Sequence, residues 1–208
     1  NIIGNTLENI FYPYLAGSIP TFEEGPKQAS PDFWNRDKHY EWELKAFTGV
    51  PNFDISNFVS YINQLSTSGG LEKKLFKTKY IIFSYSVFDH YISIDDYIIK
   101  SVWEIVKFSK KYPLSIQNKR GVWHNLRPCS FEEMKFGSKT STKNPDTFIS
   151  RLCQSIILCP NKISDRYSII SRVRDQFDQI KEKNHDINNL TSKLDDLSIR
   201  KNDLHHLD

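Results

Sequence analysis

The spacing of apolar and polar positions changes period several times along this chain. Ile3, Leu7, Ile10, Phe11 and Tyr14 recur at helical spacing and predict a helix over 2–15, disturbed in its last turn by Pro13. Residues 39–47 read instead as a strand: Glu41, Glu43 and Lys45 fall on one face, and Trp42, Leu44 and Ala46 on the other. Asn35–Lys38 reads as a turn, and a hairpin closed there brings Asp32 beside Glu43. Ile55, Phe58, Ile62 and Leu65 form the buried stripe of a helix with Asp54 as its N-cap. After a break at Gly69-Gly70, Lys79–Tyr85 reads as a central strand with Tyr91–Ile94 paired beside it.

Further on, Ile98–Phe108 predicts a short helix ended before Pro113, with Lys107, Lys110 and Lys111 as favourable charge at its C-terminus. Leu114–Gln117 and Val122–Leu126 predict a hairpin around a glycine turn. Pro145–Ile157 and Ser164–Lys181 predict two more helices. From Val173 onward, Phe177, Ile180, Ile187, Leu190, Leu194, Leu197 and Leu204 are spaced by threes and fours or close multiples, interrupted at Asn184 and Lys201. That pattern suits an amphipathic or coiled-coil-like tail, packed on its own domain or on a second subunit.

Composition narrows the class. A chain of 208 residues fits one domain with room for a helical appendage. The net charge of +3 permits DNA binding without demanding it. A mean hydropathy of −0.52 and the lack of a long apolar run argue against a membrane-spanning helix, and no signal peptide is visible. Cys129, Cys153 and Cys159 are odd in number, lack metal-ligand spacing and read as free thiols in a reducing compartment. His205-His206 are too isolated to argue for zinc.

The candidate chemistry lies at Pro31-Asp32 and Glu43-Leu44-Lys45. Mg²⁺ takes hard oxygen ligands and keeps several waters, so two carboxylates suffice as anchors. Asp32 and Glu43 are the candidate metal ligands, with the Leu44 main-chain carbonyl as a third. Lys45 is the candidate for orienting a water and stabilising charge on a phosphoryl group. The plainer alternative is a set of solvated charges on an edge strand.

Candidate DNA contacts fall in two places. Lys27 and Gln28 precede Pro31-Asp32 and suit a phosphate or base contact near a scissile bond, or simple loop solvation. The 114–127 hairpin carries Gln117, Asn118, Lys119, Arg120, Asn125 and Arg127. A two-stranded ribbon fits the major groove, where Arg and Lys pair with guanine and Asn and Gln with adenine. A surface hairpin kept soluble by its charges is the alternative. Arg166, Arg172 and Arg174 suit a phosphate backbone, although their alternation with Asp165, Asp175 and Asp178 favours a salt-bridged surface.

Lys27–Trp34 followed by Trp42–Ile55 resembles type II restriction endonucleases of the PD-(D/E)xK superfamily, in particular the NgoBV/NlaIV group. Gly4–Glu8, Tyr61–Asn63, Val102–Ile105, Tyr112–Gln117 and Asn125–Pro128 resemble the same group in the same order, so the likeness runs over about 3–130. The resemblance implies an α/β (α+β) core with a central mixed sheet flanked by helices and a helical C-terminal region. Taken with the helical spacing of the C-terminal part, the chain divides into a nuclease core over 1–160 and a helical extension over 161–208, for packing or dimerisation. The resemblance further implies Mg²⁺, with Mn²⁺ as a substitute, and a homodimer acting on double-stranded DNA. A carboxylate from the first helix, Glu8 here, would approach the metal site. The implied target is the palindrome GGNNCC, cut to leave 5′-phosphate ends in the cytoplasm of a prokaryote that carries a companion DNA methyltransferase. A structure-specific repair or junction nuclease on the same core, and a non-catalytic DNA-binding or assembly module, are the competing classes.

Overall fold

The computed structural model describes residues 22–25, 31–35, 40–108, 112–137 and 144–203, with Thr6, Asn9 and Ile10. Side chains are described as far as Asn184, that of Phe22 excepted. Thr6, Asn9 and Ile10 are helical, as the spacing over 2–15 predicts; the rest of that segment lies outside the described residues.

Among the described residues, five strands form the main sheet in the order β1 (Phe22–Glu24), β2 (Phe33–Asn35), β3 (Tyr40–Phe47), β4 (Thr78–Val87) and β5 (Ile92–Lys100). Neighbours are antiparallel except β3 and β4, which run parallel, so the sheet is mixed. A parallel pair needs a crossover. Here it is made by α1 (Phe58–Leu65) and a helical turn at Gly70–Glu72 that continues as a π-helical turn over Lys73–Lys77. The expected β2–β3 hairpin forms with Asn35 opposite Tyr40, while the turn residues 36–39 lie outside the described residues.

Side-chain alternation sorts the two faces of the sheet. Leu44, Ile81, Phe83 and Tyr85 pack with Phe33, Trp42 and Ala46 on one face. On the other, Phe47, Tyr80 and Ile82 join the main core with Phe58, Tyr61, Ile62 and Leu65 of α1. Glu41, Glu43 and Lys45 share the face of Phe47 by strand period, so the charged stripe is turned toward the helical layer. The register agrees, setting Glu43 beside Tyr80 and Lys45 beside Ile82.

Three sequence expectations change. The N-cap of α1 is Asn57, whose side chain accepts the Ser60 N–H at 3.0 Å, and not Asp54, which pairs with Arg127 instead. Ile98–Lys100 continue β5; the helix that follows, α2 (Val102–Ile105), is a single turn closed by a Ser101/Glu104 capping box. The β-branched run of Ile98 and Ile99 serves the strand, and the cap restarts the chain only at Ser101. Finally, the helix expected to end near Lys181 and the apolar tail are one helix, described over Arg166–Asp203. Its front half enters the main core through Ile169, Ile170, Val173 and Phe177.

A separate antiparallel hairpin, β6 (Ile116–Lys119) and β7 (Val122–Leu126), turns through Arg120 and Gly121, both at positive φ (54° and 83°). Two such residues in succession define the type I′ turn that fits strand twist. Trp123 anchors the ribbon. Its ring is buried against Phe58 and Tyr112, and its main chain exchanges two hydrogen bonds with the Asn161 side chain, at 2.8 and 2.7 Å. Short helices α3 (Phe131–Phe136) and α4 (Pro145–Leu158) complete the helical layer before the C-terminal helix, α5.

Candidate active site

Continuing the β2–β3 register one step past Phe33 and Trp42 sets Asp32 opposite Glu43. Directly opposed residues in an antiparallel pair share a face. Asp32 is half-buried and accepts the Leu44 main-chain N–H on Oδ2 at 2.6 Å. Lys45 Nζ lies 3.6 Å from Glu43 Oε2, with both side chains largely buried. Asp32, Glu43, Leu44 and Lys45 are thus brought together as the sequence predicts.

The electrostatics of this cluster favour a cation. Burial, and then the neighbouring Glu43 carboxylate, push the Asp32 carboxyl above its ordinary range. Lys45 and the Leu44 N–H oppose that rise without cancelling it. Two hard carboxylate donors side by side, partly desolvated and only partly neutralised, fit Mg²⁺, which takes one or two carboxylates and keeps water on its remaining positions. Among the described residues no group of three or more His, Cys, Asp or Glu side chains gathers for a metal.

Tyr80 borders this cluster, and Tyr61 in turn interacts with Tyr80. Tyr80 is fully buried, and its hydroxyl is held well above its usual range by burial first and then by Tyr61, Glu43, Asp32 and Glu41. Tyr61 is also buried, and its hydroxyl finds no hydrogen bond among the described residues. Their only signal in the sequence is an aromatic in a strand and another on a helix stripe, which reads as core.

Of the remaining site candidates, Glu8, Lys27 and Gln28 lie outside the described residues. Gln117, Asn118, Lys119, Arg120 and Asn125 all sit on the β6–β7 ribbon, with Arg127 just beyond it. Lys119 and Arg120 are exposed at its tip. Asn118 is also exposed, and its Oδ1 accepts the Gly121 N–H at 3.0 Å, closing the turn. Gln117 Oε1 is buried without a hydrogen bond among the described residues, and Asn125 forms a main-chain bridge to Asn57. Arg127 reaches back to Asp54 at 2.5 Å and to Asn52. Farther off, Arg166 donates to the carbonyls of Ile156, Ile157 and Asn161, tying α5 to the end of α4.

A family model described as NgoBV restriction endonuclease matches residues 1–194. The chain belongs to the NgoBV restriction endonuclease family. Over 135 residues this NgoBV-family chain is 28% identical to the type II restriction enzyme NlaIV of Neisseria lactamica, a match over 62% of the chain and 54% of that enzyme. The chain therefore spans about half the length of that curated relative. The solved structure of NlaIV restriction endonuclease shares the NgoBV-family fold seen here, with a TM-score of 0.73 over 87% of this chain and 75% of that one at 22% identity. Among the described residues no helix is long and apolar enough to cross a membrane.

Proposed function

We propose that this chain is a Mg²⁺-dependent type II restriction endonuclease that hydrolyses both strands of double-stranded DNA at a short palindrome. The observation that carries this reading is the opposition of Asp32 and Glu43 across β2 and β3, with Lys45 on the same face. Family membership supports the same reading. Asp32 and Glu43 would hold the ion. A residue's N–H and C=O leave a strand on the same edge, so the Leu44 carbonyl leaves β3 on the edge where its N–H meets Asp32 and would serve as the third ligand. Bound there, Mg²⁺ supplies polarisation of the phosphodiester and a lowered pKa for a coordinated water.

The chain's own groups do the rest. Lys45 orients the attacking water and offers its ammonium to the charge that builds on the phosphoryl oxygens. The water attacks phosphorus in line and the bond to the 3′-oxygen breaks, leaving 5′-phosphate and 3′-hydroxyl ends. By the family resemblance Glu8 would supply a further carboxylate to the ion, and Lys27 and Gln28 would contact DNA beside the scissile bond. The β6–β7 ribbon reads the target, with Lys119 and Arg120 projecting furthest and Gln117, Asn118, Asn125 and Arg127 behind them. Two copies related by a two-fold axis match a palindrome, GGNNCC by resemblance, and cut one strand each. The nuclease core is 1–160, with 161–208 as a helical extension. The enzyme acts in the prokaryotic cytoplasm beside a companion methyltransferase, with Mn²⁺ able to replace Mg²⁺.

The test is digestion of a sequenced, unmethylated phage DNA with Mg²⁺ and with EDTA, followed by sequencing of the fragment ends. The expected result is a set of discrete, Mg²⁺-dependent fragments sharing one palindrome, lost in Asp32→Ala and Lys45→Ala proteins. Folded protein that cuts nothing, or variants that cut like the parent, would overturn the reading.

A further inference from the structure

The β4–β5 hairpin carries its alternation the wrong way round for the margin of a sheet. Among the described residues β5 is the last strand. The register sets Ile92 beside Val87, Ile94 beside Tyr85, Tyr97 beside Phe83 and Ile99 beside Ile81. Opposed residues share a face, so these side chains continue the apolar face of Leu44, Ile81, Phe83 and Tyr85. On β3 and β4 that face is buried as far as Tyr85, yet Val87, Ile92, Ile94, Tyr97 and Ile99 are between 38% and 60% exposed. Phe88 and Tyr91 adjoin the strip at the hairpin end, their rings stacked at 4.7 Å and each at least half exposed.

The charged residues of β5 are engaged within the chain instead. Asp95 accepts the Ser86 hydroxyl at 2.8 Å, Asp96 receives Lys135 of α3 at 2.5 Å, and Lys100 pairs with Glu104 at 3.0 Å. Asp96 and Lys100 lie beside Ser84 and Tyr80, on the opposite face from the strip. An antiparallel strand with one solvated side ordinarily turns its polar residues to water and its apolar ones to the core. Here pairing with β4 fixes the reverse, and a contiguous exposed apolar patch marks a surface that meets another body.

Area and charge say which body. At about 150–200 Å² for a fully exposed side chain of this size, the strip and the adjoining ring stack leave about 500–700 Å² of apolar surface on one copy. Two copies together bring about 1,000–1,400 Å², reaching the range of about 1,200–2,000 Å² that specific interfaces bury. None of the five strip residues is charged, so two strips meet without burying an unpaired ion. The front half of α5 is already spent on its own core through Ile169, Ile170, Val173 and Phe177.

We propose that this strip is the surface through which two copies of the chain associate, strip against strip about a two-fold axis. Such a contact uses the same patch on both copies. The proposal deepens the endonuclease reading, which calls for two copies, and rests on it for the choice of partner.

The experiment is sedimentation equilibrium of the full chain, without DNA, for the parent and for a Tyr97→Lys/Ile99→Lys protein. The parent should sediment at twice the mass of the 24.4 kDa chain. Like charges facing across the axis should raise the variant's dissociation constant at least about a hundredfold. Both positions are exposed, so circular dichroism should show the parent's fold, and a single Tyr97→Lys protein serves if it does not. Mixing the variant with a Tyr97→Glu/Ile99→Glu protein should restore the double mass, which a merely structural role would not do. A parent that stays a single chain, or a folded lysine variant that stays dimeric, overturns the strip as the interface. A dimeric parent that cuts no DNA in Mg²⁺ overturns the endonuclease reading and leaves the contact standing.

Discussion

The Leu44 main-chain N–H donates to the Asp32 carboxylate at 2.6 Å, across twelve residues of sequence. One carboxylate of the candidate site is thereby fixed by the backbone of the strand that carries the other. A hydrogen bond to a charged acceptor is worth about 1.5–3 kcal/mol. It sets the Asp32 oxygens relative to Glu43 before any ion arrives.

Asp32 should be a site where activity costs stability. Burial and Glu43 raise its carboxyl in the folded chain above the unfolded value of 3.8. Stability is then fully present below that value and is lost as pH rises through the raised folded one. Asparagine cannot ionise, yet its amide oxygen still accepts the Leu44 N–H. In metal-free thermal melts, Asp32→Asn should exceed the parent at neutral pH, and the gap should close in acid. Mg²⁺ should raise the parent's midpoint and not the variant's. A variant that melts below the parent at neutral pH would contradict this account.

Gly25 should matter for cleavage although it carries no side chain. Its N–H donates to the Asp32 main-chain oxygen at 2.7 Å, and a Cβ there would overlap the Pro31 carbonyl. The obstacle is backbone and cannot swing aside. Gly25→Ala should shift Pro31-Asp32 and lower kcat/KM by about tenfold or more, as a small misplacement of a reacting group does. DNA affinity should be kept. Parallel cleavage and binding measurements check this, and equal losses in both would mean the change is global.

Arg120 offers a substitution that separates folding from reading. It holds φ at +54°, where glycine is at ease and an L-residue pays about 1 kcal/mol. Arg120→Gly should leave urea stability unchanged or raise it by up to about 1 kcal/mol. If the tip reads DNA, target affinity should fall by about 1–3 kcal/mol with relaxed sequence choice. Unchanged affinity and unchanged cleavage sites would remove the tip from the reading element.

Tyr61→Phe should be neutral or stabilising by up to about 1 kcal/mol, because it deletes a buried hydroxyl without a hydrogen bond among the described residues and keeps the ring. Denaturant unfolding measures it. A loss of stability would show that the hydroxyl is bonded in solution, through a water.

Much of the arrangement was legible in the chain because local rules and tertiary packing agree there. The alternation over β3, the apolar run of β4 and the Asn118–Gly121 turn each specify their own structure. Asp32 could be paired with Glu43 because only one short turn separates their strands. Where reading failed, two signals competed. Ile98 and Ile99 fit either a helix stripe or a strand, and pairing with Ile82 and Ile81 on β4 decided it. Asp54 looks like a cap, but Asn57 lies at the position where its oxygen meets the Ser60 N–H. The ion pairs of Lys73 and Lys74 went unread because their partner, Glu41, lies more than thirty residues away. Only the parallel β3–β4 pairing brings the two segments together.

That pairing has a consequence for the cell that makes the protein. A nuclease endangers the genome around it from the moment its site exists. Here Asp32 comes from one strand, and Glu43 and Lys45 from the next. The second strand is steadied on its far edge by β4, which begins at Thr78, opposite Glu41. A nascent chain that has emerged only as far as Lys45 carries the candidate site residues but not the scaffold that holds them together. A hairpin slipped by one residue would send Asp32 and Glu43 to opposite faces. On the proposed endonuclease reading, toxicity would be coupled to correct folding, because the candidate cluster is held in place only once β4 has paired with β3.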